Sequence, residues 1–291
     1  MNRKINNILG KYTIKKVLRI FDERCGFSFG ERTLNSNWFN PLATFWLNFR
    51  CFPLKQAVLL PIWCYGRPKF YGLSGQMIVI GHVKSGMIKF NQVRYMAPSN
   101  MNLQTELFNY GKIIFRGPTV IGTGNKIVVF RNGILDIGGN VKITDMCNVG
   151  CFENIKIGEQ SRITHRCQIL ESNYHYVADF TKGVVTDHSQ PISIGKGCWI
   201  CNSSTIMGGT NLPDFTLVAS NSLLNKDYMD LPESSLIGGI PAKYIANGFR
   251  KIENGKIEKE IAAFYKNKPN DVFTIPKDAI PDEYSYVDKF K

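Results

Sequence analysis

Four histidines, His82, His165, His175 and His188, are the residues best suited to take up a proton near neutral pH. His175 and His188 share a polar stretch of about twenty residues between Ile169 and Ile194, and a loop that long tends to carry function. A hydroxyl is a poor nucleophile until a base removes its proton, so an imidazole held in such a loop can make an oxygen reactive toward a carbonyl. Glu171, Asn173, Asp179 and Asp187 lie in the same stretch, and any of them could orient the ring. The sequence does not choose among them. His165 falls within a repeat and His82 lies far upstream; both read as structural or surface residues.

Cysteines offer a second chemistry. Cys198-x-x-Cys201 and Cys147-x-x-x-Cys151 have the look of metal ligands, but no second pair or His pair stands at zinc spacing. No metal is expected. Eight cysteines without a secretory signal read as reduced thiols.

The elements that must position these residues announce themselves by a period of six. Ile194, Ile200, Ile206, Leu212, Val218 and Leu224 form an unbroken row, and Ile137, Ile143, Val149 and Ile157, Ile163, Ile169 form shorter ones. Two positions earlier stands a small or β-branched residue: Cys198, Ser204, Thr210, Thr216 and Ser222 in the long row, Val141, Cys147, Ser161 and Cys167 before it. Helices repeat at about 3.6 and strands at 2, so a strict six means short strands turned at regular corners. Residues i−2 and i of one strand share a face. Three such strands close a triangular coil, and coils stack at the ~4.8 Å spacing of paired strands. Cys147, Cys167 and Cys198 then fill the small inward position as compact hydrophobes.

The register loosens upstream, where Leu73 and Val79, then Phe115, Ile121 and Ile127, suggest further coils. The expected division is a capping segment over 1–70, partly helical with a basic stretch from Tyr12 to Arg24; an all-β solenoid over 71–236 with a loop at 170–190; and a tail over 237–291 with a helix at Glu258 to Tyr265. Leu42 to Tyr65 is the most apolar run, but Arg50, Pro53, Lys55 and Pro61 interrupt it, so it reads as an amphipathic or core segment and not as a membrane span. The default location is the cytoplasm. A formal net charge of +13 favours partners that carry phosphate or carboxylate.

The run Pro191-Ile-Ser-Ile-Gly-Lys-Gly-Cys-Trp-Ile, continuing to Asn225-Lys226-Asp227 and Gly239-Ile-Pro-Ala-Lys243, resembles the hexapeptide-repeat acyltransferases. Within them it looks most like the sugar O-acetyltransferases: the galactoside and maltose enzymes and those that modify surface polysaccharides. The match covers about residues 137–245. The resemblance implies a left-handed parallel β-helix, a homotrimer with active sites between subunits, and acetyl-CoA as co-substrate. It places the catalytic histidine at His175, the oxyanion donor at the backbone amide of Asn202, and the wall beside the acetyl group at Trp199. The cofactor-binding set it implies is Ala219, Ser220, Asn225, Lys226, Pro241 and Lys243, with Arg250 and Lys251 adding charge near the CoA phosphates. Cys201 stands where the family usually has Gly, and Asn225 where Thr is common. The spacing of His165, His175 and His188 does not resemble that of zinc lyases with the same repeat.

The function expected is therefore direct transfer of an acetyl group from acetyl-CoA to a saccharide hydroxyl, with histidine as general base and no acyl-enzyme. The acceptor belongs to a surface polysaccharide or its precursor. Two alternatives stay open: sugar N-acetylation, and a non-catalytic basic scaffold in polysaccharide assembly. Expected partners are the saccharide and CoA, with no nucleic acid; proximity to a membrane surface is left open.

Overall fold

The structure is a computed structural model and describes residues 38–92 and 103–286. The Tyr12 to Arg24 stretch lies outside the described residues.

Three sheets wrap one axis. The first face holds nine strands, from Ile62–Cys64 to Ala242–Asn247; the second holds seven, from Lys69–Leu73 to Leu223–Leu224; the third holds six, from Gln76–Val79 to Asn211–Leu212. The chain visits the faces in turn, so neighbours in each sheet come from successive coils. All these ladders are parallel except the last, where Ser235–Gly239 meets Ala242–Asn247 antiparallel. This is the expected parallel β-helix.

The six-residue rows set the register. Ile143 pairs with Ile163, Ile163 with Ile200, and Ile200 with Val218, and all four are buried. Stacked aliphatic side chains thus form a continuous apolar column. The small inward residues behave as expected. Cys147, Cys167 and Cys198 are buried, and most hydroxyls at equivalent sites bond corner carbonyls: Ser161 Oγ to Gly195 at 2.9 Å, Ser204 Oγ to Ala219 at 3.0 Å, Thr216 Oγ1 to Pro213 at 2.8 Å; Thr210 Oγ1 has no partner among the described residues. Corners between the third and first faces turn through one left-handed residue. Asn140, Gln160, Gly197 and Phe215 do this, with φ of 56°, 59°, 63° and 59°.

The ladder starts at Ile62, ahead of the expected boundary at residue 71. Ile62 pairs with Ile88 and Ile88 with Thr119, so these first coils are longer than three hexads and hide the period. Upstream of it, α1 (Pro41–Cys51) opens on Pro41 behind Asn40, whose side chain accepts the Ala43 N–H at 3.0 Å. Its buried face closes the open edge of the first strand. Asn48 accepts from Ile62 N–H at 3.1 Å and donates to the Ile62 carbonyl at 2.7 Å, while Thr44 Oγ1 accepts from Cys64 N–H at 3.0 Å. Gln56, in the one-turn helix α2 (Leu54–Ala57), does the same for Val79 at 2.8 and 2.9 Å. An unpaired strand edge is a liability, and these amides cover it at Ile62 and Val79.

At the other end the final antiparallel strands cover the last coil, and Tyr228 is buried beneath them. The tail continues into α3 (Gly255–Asn267), which spans the expected helix, and α4 (Pro281–Ser285). It is fastened to the first face by Glu253, which takes Arg162 Nε at 2.9 Å and Nη2 at 2.8 Å in a two-pronged pair.

Candidate active site

The loop at 170–190 leaves the corner between the second and third faces and is itself ordered. Ser172 bridges Ser189, and Val177–Asp179 pairs antiparallel with Val184–Thr186, so the segment is a β-hairpin. Its base is pinned by Glu171. This buried carboxylate accepts three backbone N–H groups from the next corner down: Phe152 at 2.8 Å, Glu153 at 2.9 Å and Asn154 at 2.5 Å. Ser189 Oγ adds a bond to Glu153 Oε1 at 2.8 Å. An aromatic floor lies beside it, with Phe130 and Phe152 stacked at 3.8 Å and Tyr174 edge-on to Phe152 at 5.2 Å.

The two loop histidines have different surroundings. His188 is half-buried, its Nδ1 lies 2.8 Å from Ser172 Oγ, and its ring meets Phe152 and Tyr176 edge-on at 5.5 and 4.7 Å. It opens on a cleft of about 430 Å³ lined also by Glu171, Asn173, Asp187, Met207 and Asn225. His175 is exposed, outside that cleft, and makes no hydrogen bond or ring contact among the described residues.

None of the four polar residues flagged in the sequence bonds to either imidazole side chain. Glu171 holds the hairpin base, and Asp179 caps the hairpin turn through the Thr181 amide at 2.9 Å. The Thr181 hydroxyl's hydrogen bond keeps the Asp179 carboxyl below its ordinary range. Asp187 accepts from Ser189 N–H at 3.3 Å, and the Asn173 N–H reaches the His188 carbonyl at 3.0 Å. The group that does orient an imidazole is Ser172. It stands 16 positions from His188, and only the hairpin bridge makes them neighbours.

A different corner, between the first and second faces, gathers Asn202, Ala219 and Ser220. Ser220 Oγ donates to Asn202 Oδ1 at 2.9 Å, and Asn221 N–H reaches the Asn202 carbonyl at 3.0 Å. The N–H groups of Asn202 and Ser220 have no partner among the described residues. The Ala219 N–H is already bound to the Ile237 carbonyl at 2.9 Å, so its amide is not a free donor. Cys201 adjoins Asn202, and burial pushes its thiol up to about 11; it stays protonated near neutral pH.

Trp199 points outward from the first face, with Lys251 Nζ 5.7 Å from its ring centre. Arg250 and Lys251, expected near phosphates, are engaged with groups of the last coil and the tail. Arg250 bonds Ser234 Oγ at 2.8 Å, pairs with Asp282 and stacks over Phe215 at 3.7 Å, and Lys251 pairs with Glu253. Lys226 and Lys243 are both exposed at the C-terminal end of the helix. The Tyr228 hydroxyl, donating to the Ala242 carbonyl at 3.2 Å, ties together the segments that carry them. Pro241 follows a cis peptide bond in the turn between the last two strands.

No family model matches the chain. Among curated proteins it is similar to WbbJ of Escherichia coli strain K12, a candidate lipopolysaccharide biosynthesis O-acetyl transferase, with 24% identity over 185 residues, 61% of this chain and 90% of that protein. Among solved structures it is similar to the polysialic acid O-acetyltransferase OatWY, with TM-score 0.44, 14% identity, and coverage of 75% of this chain and 96% of that one. The polySia-specific acetyltransferase NeuO gives TM-score 0.40 and 18% identity over 71% and 83%.

Proposed function

We propose that this chain transfers an acetyl group from acetyl-CoA to a hydroxyl of a surface saccharide or its precursor, directly and with His175 as general base. Two structural devices support this reading: a hairpin pinned by Glu171 that presents an imidazole without a partner among the described residues, and a corner that presents two backbone amides likewise unpaired among them. The WbbJ match extends along most of that relative and supports the same chemistry.

In the proposed step, the imidazole of His175 takes the proton of the acceptor hydroxyl while that oxygen attacks the thioester carbonyl. The Asn202 N–H donates to the resulting oxyanion. Collapse breaks the carbon–sulfur bond, and the imidazolium returns its proton to the departing thiolate. The protonated state of Cys201 argues against a thiolate nucleophile beside Asn202. Ser220 N–H would meet the pantetheine arm, Asn225 and Pro241 would flank it, and Lys226 and Lys243 would face the phosphates, each as a point charge. Trp199 would wall the acetyl side.

The hairpin and the amide corner lie on different corners of one copy. A site combining them takes the hairpin from one subunit and the corner from another, and this supports a homotrimer. A second reading has a specific observation behind it: His188 lines the cleft and is oriented by Ser172. The deciding experiment is release of CoA thiol from acetyl-CoA against a saccharide panel. His175→Ala should lose on the order of 10²-fold or more in rate, with His188→Ala losing less. A His175→Ala enzyme as fast as wild type removes this residue from the chemistry and leaves His188 as the base.

A further inference from the structure

The face of α1 that turns away from the coil carries Leu42, Phe45, Trp46 and Phe49, exposed by 83, 53, 60 and 47%. The Phe45 and Phe49 rings stack on each other at 6.0 Å, and the apolar surface continues through Leu54, Val58 and Leu59. Capping the first coil does not need these side chains, because Thr44, Leu47, Asn48 and Cys51 on the opposite face do that work. A contiguous exposed apolar surface of this kind marks an interaction site.

Charge says what kind of partner fits. Between Glu31 and Glu106 the sequence contains no Asp or Glu, although the whole chain has 23 acidic residues. The described part of that acid-free stretch holds Arg50, Lys55, Arg67, Lys69, Lys84 and Lys89, all exposed but Lys89, and of these Lys69 lies 3.9 Å from Glu106. The segment ahead of it carries Arg3, Lys4, Lys11, Lys15, Lys16, Arg19 and Arg24 against Asp22 and Glu23, so it too is basic on balance. A second copy seated on this face, or the basic segment folding back over it, would bring positive charge against positive charge. Nucleic acid matches the charge but has no use for a row of Leu, Phe, Trp and Phe.

From this juxtaposition we propose that α1 and the segment through Leu59 form a docking face for an anionic lipid surface. The helix is 11 residues long, hence about 16 Å, and lies flat at the headgroup boundary with its apolar side down. Trp46 takes the interfacial position that tryptophan favours, and Arg50 and Lys55 reach outward to phosphates from the rim. Among the described residues no helix is long and apolar enough to cross a membrane. This inference goes beyond the transferase reading and does not depend on it.

The test is cosedimentation of the full chain with vesicles of phosphatidylcholine alone or mixed with phosphatidylglycerol. Wild type is expected to partition onto the mixed vesicles at least about tenfold more strongly. The triple variant Phe45→Ser, Trp46→Ser, Phe49→Ser should lose about tenfold or more of that binding while keeping the wild-type circular dichroism spectrum, since its targets are exposed. Brominated lipid should quench wild-type tryptophan emission, and Trp46→Phe should abolish the quenching. The proposal is overturned by wild type staying in the supernatant with both vesicles, or by a folded triple variant that binds as wild type does. It is equally overturned if the triple variant changes oligomeric mass without lipid, or if a single-stranded oligonucleotide displaces wild type from vesicles and binds the triple variant undiminished.

Discussion

Replacing Glu171 by Ala should unfasten the hairpin that carries both candidate imidazoles. The wild-type carboxylate accepts three backbone N–H groups within 2.9 Å, and hydrogen bonds to a charged acceptor contribute ~1.5–3 kcal/mol each. The side chains of Glu153 and Asn154 are exposed and a cleft adjoins Glu171, so water can replace part of what is lost. Taking about 1 kcal/mol per bond gives roughly 3 kcal/mol, or on the order of 100-fold more frequent opening of the hairpin base. Coils of a solenoid contact only their neighbours, so the effect should stay local. Hydrogen–deuterium exchange should therefore accelerate in peptides covering 148–157 and 168–190 and change little near Ile62 or Val218. Glu171→Gln, which keeps one acceptor oxygen, should fall between. Exchange within about threefold of wild type in those two peptides would show that the carboxylate does not hold the loop.

Two further outcomes follow from the same geometry. Burial pushes the Glu253 carboxyl up, but the hydrogen bonds and charges of Arg162 and Lys251 outweigh this and hold it below the ordinary carboxylate range. A lowered folded pKa means that this contribution is full above the unfolded value and fades as pH falls through the folded one. The tail should thus stay attached at pH 5 and loosen in stronger acid. Glu253→Gln should flatten that dependence and cost about 2 kcal/mol or more at neutral pH; proteolysis of the tail against pH reads both, and a variant with the wild-type acid profile contradicts the assignment. Gly158→Ala puts a Cβ 2.4 Å from the Gly195 carbonyl carbon, which is backbone of the next coil and cannot step aside. The expected loss is ~1–3 kcal/mol, seen as a thermal midpoint several degrees lower, and an unchanged midpoint would contradict the stacking described.

The core was the legible part of the sequence. A six-residue row with a small partner at i−2 has one structural meaning, and Cys147, Cys167, Ile143 and Ile200 all lie inside the prism. Where coils lengthen the rule fades: Ile62 and Ile88 face each other across 26 positions, and no fixed spacing exposes that. The hairpin was hidden for another reason. Val177, Val184 and Val185 are exposed, so their two strands bury no face whose periodicity could be seen. The contacts that organise the site link residues distant in sequence, such as Glu171 to Phe152 and Ser172 to His188, and the corner turns that join them depend on coil register. The tail-anchoring role of Arg250 and Lys251 was not legible, because a cation near a phosphate and a cation anchoring a tail look alike until Asp282 and Glu253 are placed.

The first coil ends against side-chain amides at Ile62 and Val79 and against an antiparallel bridge from Phe39 at Tyr65. Asn48 and Gln56 present to Ile62 and Val79 a donor and an acceptor in the positions a preceding coil would fill. At Ile62 and Val79 the stack is therefore finite by chemistry, because these backbone groups are bonded from within. A rod closed at those positions offers fewer backbone groups to a stray strand or to another copy of itself.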